Sequence, residues 1–138
     1  MSSLYPESYS SSRARFLLDA ERIRPRWFSS RLESHPLKKH PDLSIDWLWA
    51  EPRVKENLVI VSTGEHGIEG YVGSAMLKIF MDEFAPRLNP ENTGLLLVHA
   101  VNPWGMKRNR KVNENGVDLN RNFIYNNAFD PSINPDFL

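Results

Sequence analysis

Apolar positions along the chain recur first with the period of a helix, then of a strand. In the run SSSRARFLLDAERI, which begins at Ser10, Phe16, Ala20 and Ile23 fall on one face. Serines precede that run as capping residues, and Pro25 disfavours its continuation. Residues 29–42 (SSRLESHPLKKHPD) are polar and punctuated by proline, which reads as a surface connection. From Leu43 the period drops to two. Leu43, Ile45, Trp47 and Trp49 alternate with Ser44, Asp46 and Leu48, as in a half-buried strand whose tryptophan side is core. LVIVST, starting at Leu58, is a continuous apolar run expected of a strand buried on both faces. Beyond the loop GEHGIEG, Val72, Ala75, Met76, Ile79 and Phe80 make a helical stripe that Pro86 closes. A second buried strand, LLLVHAV, follows at Leu95–Val101.

Strand, loop, helix, strand is a βαβ-like unit. The expected fold class is therefore α/β, with a mixed or mostly parallel sheet flanked by helices. In open sheets of this kind, sites lie beyond the carboxyl ends of the strands. Two polar motifs sit there: GEHGIEG after the first apolar strand, and NPWG…LNRNF after the second. The stretch from Asn102 to Asn127 is rich in Asn and Arg and reads as loop. The 138 residues form one domain by length, with the motif-bearing core at residues 43–123.

Composition narrows the chemistry. Basic and acidic residues number 17 each, so no net charge draws the chain to nucleic acid or an anionic membrane. The basic run Lys107–Lys111 has only Trp104 as an aromatic neighbour, which argues against a nucleic-acid patch. There is no cysteine, so disulfides, thiolate zinc sites and a cysteine nucleophile are excluded together. The N-terminus has no signal-like apolar run and no segment is long enough to span a bilayer. A soluble, cytoplasmic protein is expected, with a mitochondrial transit segment as the alternative.

His66 and Glu69 offer an imidazole and a carboxylate three positions apart on a glycine-flanked loop, both good zinc donors. Alone, the pair reads first as a solvated polar loop. The second motif adds specificity. Asn102-Pro103-x-Gly105, followed by Gly116-Val117-Asp118-Leu119-Asn120-Arg121-Asn122-Phe123, closely resembles the zinc carboxypeptidase family. The match runs from Leu58 to Phe123 and resembles a carboxypeptidase-like branch whose members are mostly of unassigned function.

The resemblance implies a partial zinc-carboxypeptidase-like fold, with His66 and Glu69 as metal ligands. Asp118 would accept a hydrogen bond from the ligand histidine, fixing its tautomer. Asn120 and Arg121 would grip a substrate carboxylate, which suits a planar guanidinium. An upstream cation would stabilise the oxyanion. Arg110 is favoured, Lys111 is next, Arg108 is also present, and spacing does not choose among them. His99 reads as a hydrogen-bonded core residue, while His35 and His40 take no role.

The family's third ligand and catalytic glutamate lie further downstream. No histidine follows His99, and the only acids after Arg121 are Asp130 and Asp136. Two donors hold zinc weakly and leave no base for its water. The chain thus reads as the N-terminal portion of a zinc-dependent hydrolase of amide bonds, inactive at this length. Its substrates would be small peptides or N-acyl amino acids with a free carboxylate. The alternative is a non-catalytic remnant that binds a carboxylate or a partner.

Overall fold

The structure, a computed structural model, describes residues 4–122. Four strands form one sheet: β1 (Ser29–Leu37), β2 (His40–Glu51), β3 (Asn57–Ser62) and β4 (Thr93–His99). Their order across the sheet is β1-β2-β4-β3. β1/β2 and β2/β4 are antiparallel, whereas β3/β4 is parallel, so the sheet is mixed. The helices are α1 (Tyr9–Ile23), α2 (Gly70–Ile79) and the short α3 (Pro103–Arg108), a helix where the sequence reads as loop, started by the Asn102 side-chain cap. This is the α/β class that the sequence pattern predicts, and β3-α2-β4 is its crossover unit. No described helix is long and apolar enough to cross a membrane.

Local chemistry explains where α1 starts and stops. Ser8 accepts from the Ser11 backbone N–H at 3.1 Å, and Ser11 accepts in return from Ser8 N–H at 3.1 Å. This reciprocal box satisfies donors that a helix start leaves bare. Pro25 then tightens the chain into a 3-10 turn at Arg24–Arg26. The inner side of α1 brings Phe16, Ala20 and Ile23 onto the sheet, as the periodicity predicts.

Three further expectations are corrected. Residues 29–37 are a strand rather than a connection. β1 lies at the rim, so Pro36 costs no ladder bond there, and a register shift falls between Pro36 and Leu37. Second, the buried side of β2 is the set that reads as polar: Ser44, Asp46, Leu48 and Ala50 are buried, while Trp47 and Trp49 are half-buried. Alternation identifies two faces but not which is inner, and Asp46 is tolerated inside because Arg13, Ser34 and Ser44 all donate to it.

Third, β3 is an edge strand, with Leu58 and Ile60 exposed rather than buried. α2 is rotated to match. It buries Ser74, Ala75 and Leu77, continued by Met81 and Ala85, whereas Val72 and Met76 face outward. Both long helices therefore share one sheet face, around a core of Phe16, Ile23, Trp27, Leu48, Leu77, Met81, Leu95 and Leu97. Each large side chain buried there contributes roughly 1.5–3 kcal/mol. That core is the rigid base from which the loops after β3 and β4 extend.

Candidate metal centre

The parallel pairing of β3 with β4 continues into the loops. Thr63 N–H donates to Val98 O at 3.1 Å, Val101 N–H to Thr63 O at 2.9 Å, and Asn102 N–H to Gly64 O at 2.8 Å. Gly64 adopts φ +67°, a left-handed conformation that suits glycine, and there the chain leaves the strand. Residues Gly67–Glu69 then form a 3-10 turn that leads directly into α2.

This turn is pressed against α3. A Cβ on Gly67 would stand 2.1 Å from Gly105 C and 2.2 Å from Met106 N. Only a glycine permits such an approach. Two backbone bonds fix the turn in place: Gly67 N–H to Lys111 O at 3.4 Å and Ile68 N–H to Arg110 O at 3.0 Å. The loop holding His66 and Glu69 is thereby joined to the loop that leads to Asp118.

The side chains converge. His66 Nδ1 lies 3.3 Å from Glu69 Oε1, and His66 Nε2 lies 3.0 Å from Asp118 Oδ1. Lys111 Nζ stands 2.7 Å from Asp118 Oδ2, and Asn120 N–H donates to Asp118 Oδ1 at 3.1 Å. The Lys111 ammonium, with His66 beside it, holds the Asp118 carboxyl at about 2, well below its ordinary value. In the tautomer that donates from Nε2 to Asp118, Nδ1 is left with a lone pair.

His66 and Glu69 open on a cleft of about 480 Å³ walled by Gly64, Glu65, Gly73, Met76 and Asn120. The His66 side chain is 12% exposed and that of Glu69 70%, so one donor is held and the other is free to adjust. Two ligands of one tetrahedral zinc, each at ~2.1 Å, would stand ~3.4 Å apart. The His66–Glu69 separation fits that requirement. Among the described residues, no group of three histidines or acids is gathered for a metal.

The remaining predicted residues divide. Asn120 reaches the cleft wall. Arg121 lies outside that lining; it is exposed and donates to Asn120 O at 3.0 Å. Its short hop back to the neighbouring carbonyl needs no cleft partner. Arg110 is exposed too, and its backbone serves the structure: its N–H donates to Gly105 O at 2.8 Å and its carbonyl receives Ile68. Lys111 is the cation that touches the cluster. Phe123, Asp130 and Asp136 fall outside the described residues. Asn102 had no separate role in the sequence reading, although its position at a strand end just before a proline is a helix-capping signal.

Comparison with known proteins follows the fold. No curated protein matches the chain. It is similar to a crystal structure described as "Putative carboxypeptidase A" from Shewanella denitrificans OS-217. The TM-score is 0.56 and the identity 20%, over 83% of this chain and 31% of that one. The chain thus spans about a third of that protein's length, and the likeness supports a carboxypeptidase-like fold. A family described as "Protein of unknown function (DUF2817)" matches residues 5–137, and the chain belongs to that family.

Proposed function

We propose that the chain carries the two-ligand half of a zinc-dependent hydrolase site that acts on amide bonds of substrates with a free carboxylate. The observation that supports this reading is the His66–Glu69 pair, 3.3 Å apart, with the far histidine nitrogen turned to Asp118. Such a carboxylate–histidine arrangement is the usual support of a metal ligand. Bound zinc would supply Lewis acidity and a water acidic enough to be a nucleophile near neutral pH. The chain's own residues do the holding. His66 and Glu69 offer the donors, Asp118 fixes the imidazole, and Lys111 anchors Asp118. On this reading Asn120, at the cleft wall, is a neutral donor for a substrate carboxylate, and Arg121 would have to swing inward to join it.

A second reading is a non-catalytic site that binds a carboxylate or a partner, favoured by the two-donor count among the described residues. Titration with zinc, and with cobalt(II) for its visible spectrum, separates the two. Weak one-to-one uptake that disappears in both His66→Ala and Glu69→Ala supports the metal site. Absence of uptake in the parent chain sinks it. With two donors and no base assembled beside them among the described residues, the 138-residue protein should give no chelator-sensitive hydrolysis of peptides or N-acyl amino acids.

A further inference from the structure

We infer that Asn102 is a positioning residue that holds His66 and Asp118 in register, an inference that rests on the metal-site reading of that pair. Asn102 is 2% exposed, and both ends of its amide are used. Its Oδ1 accepts from Gly105 N–H at 2.8 Å and caps α3; its Nδ2 donates to Lys111 O at 3.3 Å. Its backbone is committed as well, with N–H to Gly64 O and C=O from Met106 N–H. One residue thus ties the end of β4 to the exit of β3, to the start of α3 and to the loop beyond it.

The Lys111 carbonyl is the shared point. It receives the Asn102 amide on one side and Gly67 N–H, next to His66, on the other. The Lys111 side chain goes on to Asp118, which holds His66 Nε2. Asn102 therefore stands behind a closed circuit: His66 to Gly67, Gly67 to Lys111, Lys111 to Asp118, and Asp118 back to His66. Packing around Gly105 is close. A Cβ on Gly105 would lie 2.5 Å from Asn102 Nδ2, 2.8 Å from Val112 O and 2.9 Å from Arg110 O. Without the amide donor at 3.3 Å, Lys111 O keeps only the 3.4 Å bond from Gly67, and the registration of Asp118 to His66 loosens.

Two variants of the full chain test this. Asn102→Asp and Asn102→Ser both retain an oxygen that can cap α3, and both lack the amide donor to Lys111. The His66 ring nitrogens are read by long-range 1H–15N correlation at about pH 8, where a free imidazole is neutral. Zinc uptake and thermal unfolding are measured in parallel. The expected result is a cooperatively folded variant in which the parent's unequal ring nitrogens, with the proton on Nε2, move toward an average. Apparent zinc affinity should fall about tenfold or more, as for other residues that orient a ligand. Variants that melt lower but keep the parent ring-nitrogen pattern overturn the inference, as does loss of folding in both, which assigns Asn102 to scaffolding alone. If the parent chain takes up no zinc, the metal-site reading fails, while the ring-nitrogen comparison still decides the role of Asn102.

Discussion

Two histidines in this chain each stand beside a carboxylate, and they differ in almost everything else. His99, at the end of β4, is fully buried and stacked on Phe16 at 5.4 Å between ring centroids. Its Nε2 is 2.7 Å from Ser12 Oγ, and its Nδ1 is 3.8 Å from Asp46 Oδ2, beyond hydrogen-bond length. Asp46 is gripped by both Nε and an Nη nitrogen of Arg13, together with Ser34 and Ser44. Burial pushes the Asp46 carboxyl up, yet its contacts with His99, Arg13, Ser34 and Ser44 leave it below the ordinary value. His66 instead sits in the loop after β3, with Nε2 at Asp118 and Nδ1 at Glu69, and it lines a cleft. A serine, a histidine and an aspartate in a row look like a catalytic relay at Ser12, His99 and Asp46, but Ser12 has no exposed surface to meet a substrate. Access to an open cleft, more than residue type, separates the two histidines.

That contrast can be broken at either end. The largest effect is expected at the brace. Asp46→Ala removes the hub that joins α1, β1 and β2, and should cost about 3 kcal/mol in urea unfolding. That is the low end for a broken buried pair, because Arg13 can turn to water. A cost under about 1 kcal/mol would mean that the cluster braces nothing. Next comes Gly67→Ala, which drives a methyl group into the α3 backbone and should cost roughly 1–3 kcal/mol by thermal melting. A neutral result would show that the turn is free to move away from α3.

Smaller still is His66→Ala. It should change stability by less than about 1 kcal/mol, the worth of one part-exposed hydrogen bond, while removing the zinc response altogether. A large loss of stability would make His66 a second brace. The mildest effect is on acid stability. The Asp118 carboxyl is depressed to about 2 when folded, against about 3.9 unfolded. It therefore favours the folded state at and above ordinary pH, and that contribution is lost as pH falls from about 4 to about 2. Lys111→Met should raise the Asp118 titration midpoint toward the ordinary value by NMR. An unmoved midpoint would place the cause elsewhere.

α1, α2 and the βαβ unit were legible because they rest on local periodicity and capping, whereas α3 lies in a stretch that reads as loop. Ser8, Pro25 and the Phe16–Ala20–Ile23 face announce α1 without tertiary help. β1 was not legible. SSRLESHPL is polar because a rim strand meets water on most sides, and its pairing with β2 is a long-range fact that composition does not carry. The inner face of β2 was misread for a related reason. Trp47 and Trp49 look more buried than Ser44 and Asp46, until Arg13, 33 positions before Asp46, supplies the bond that makes a buried carboxylate tolerable. At the candidate site, the meeting of His66 with Asp118 followed from resemblance alone, since no spacing rule joins positions 52 apart. Lys111 was a named runner-up for a different task. Asn102 was visible only as part of a motif, because the value of a buried amide lies in where its two ends point.

The two rims of the sheet also matter for handling the protein. β1 carries Arg31, Glu33, His35 and Pro36, side chains that discourage another strand from adding on. β3 carries none of these between Asn57 and Ser62, and it exposes Leu58 and Ile60. Its outer row of N–H and C=O groups has no strand beside it among the described residues. A rim of that kind is a template for self-adhesion, so this chain should grow sticky as it is concentrated. A lysine at position 60 would be the first change for keeping it dispersed.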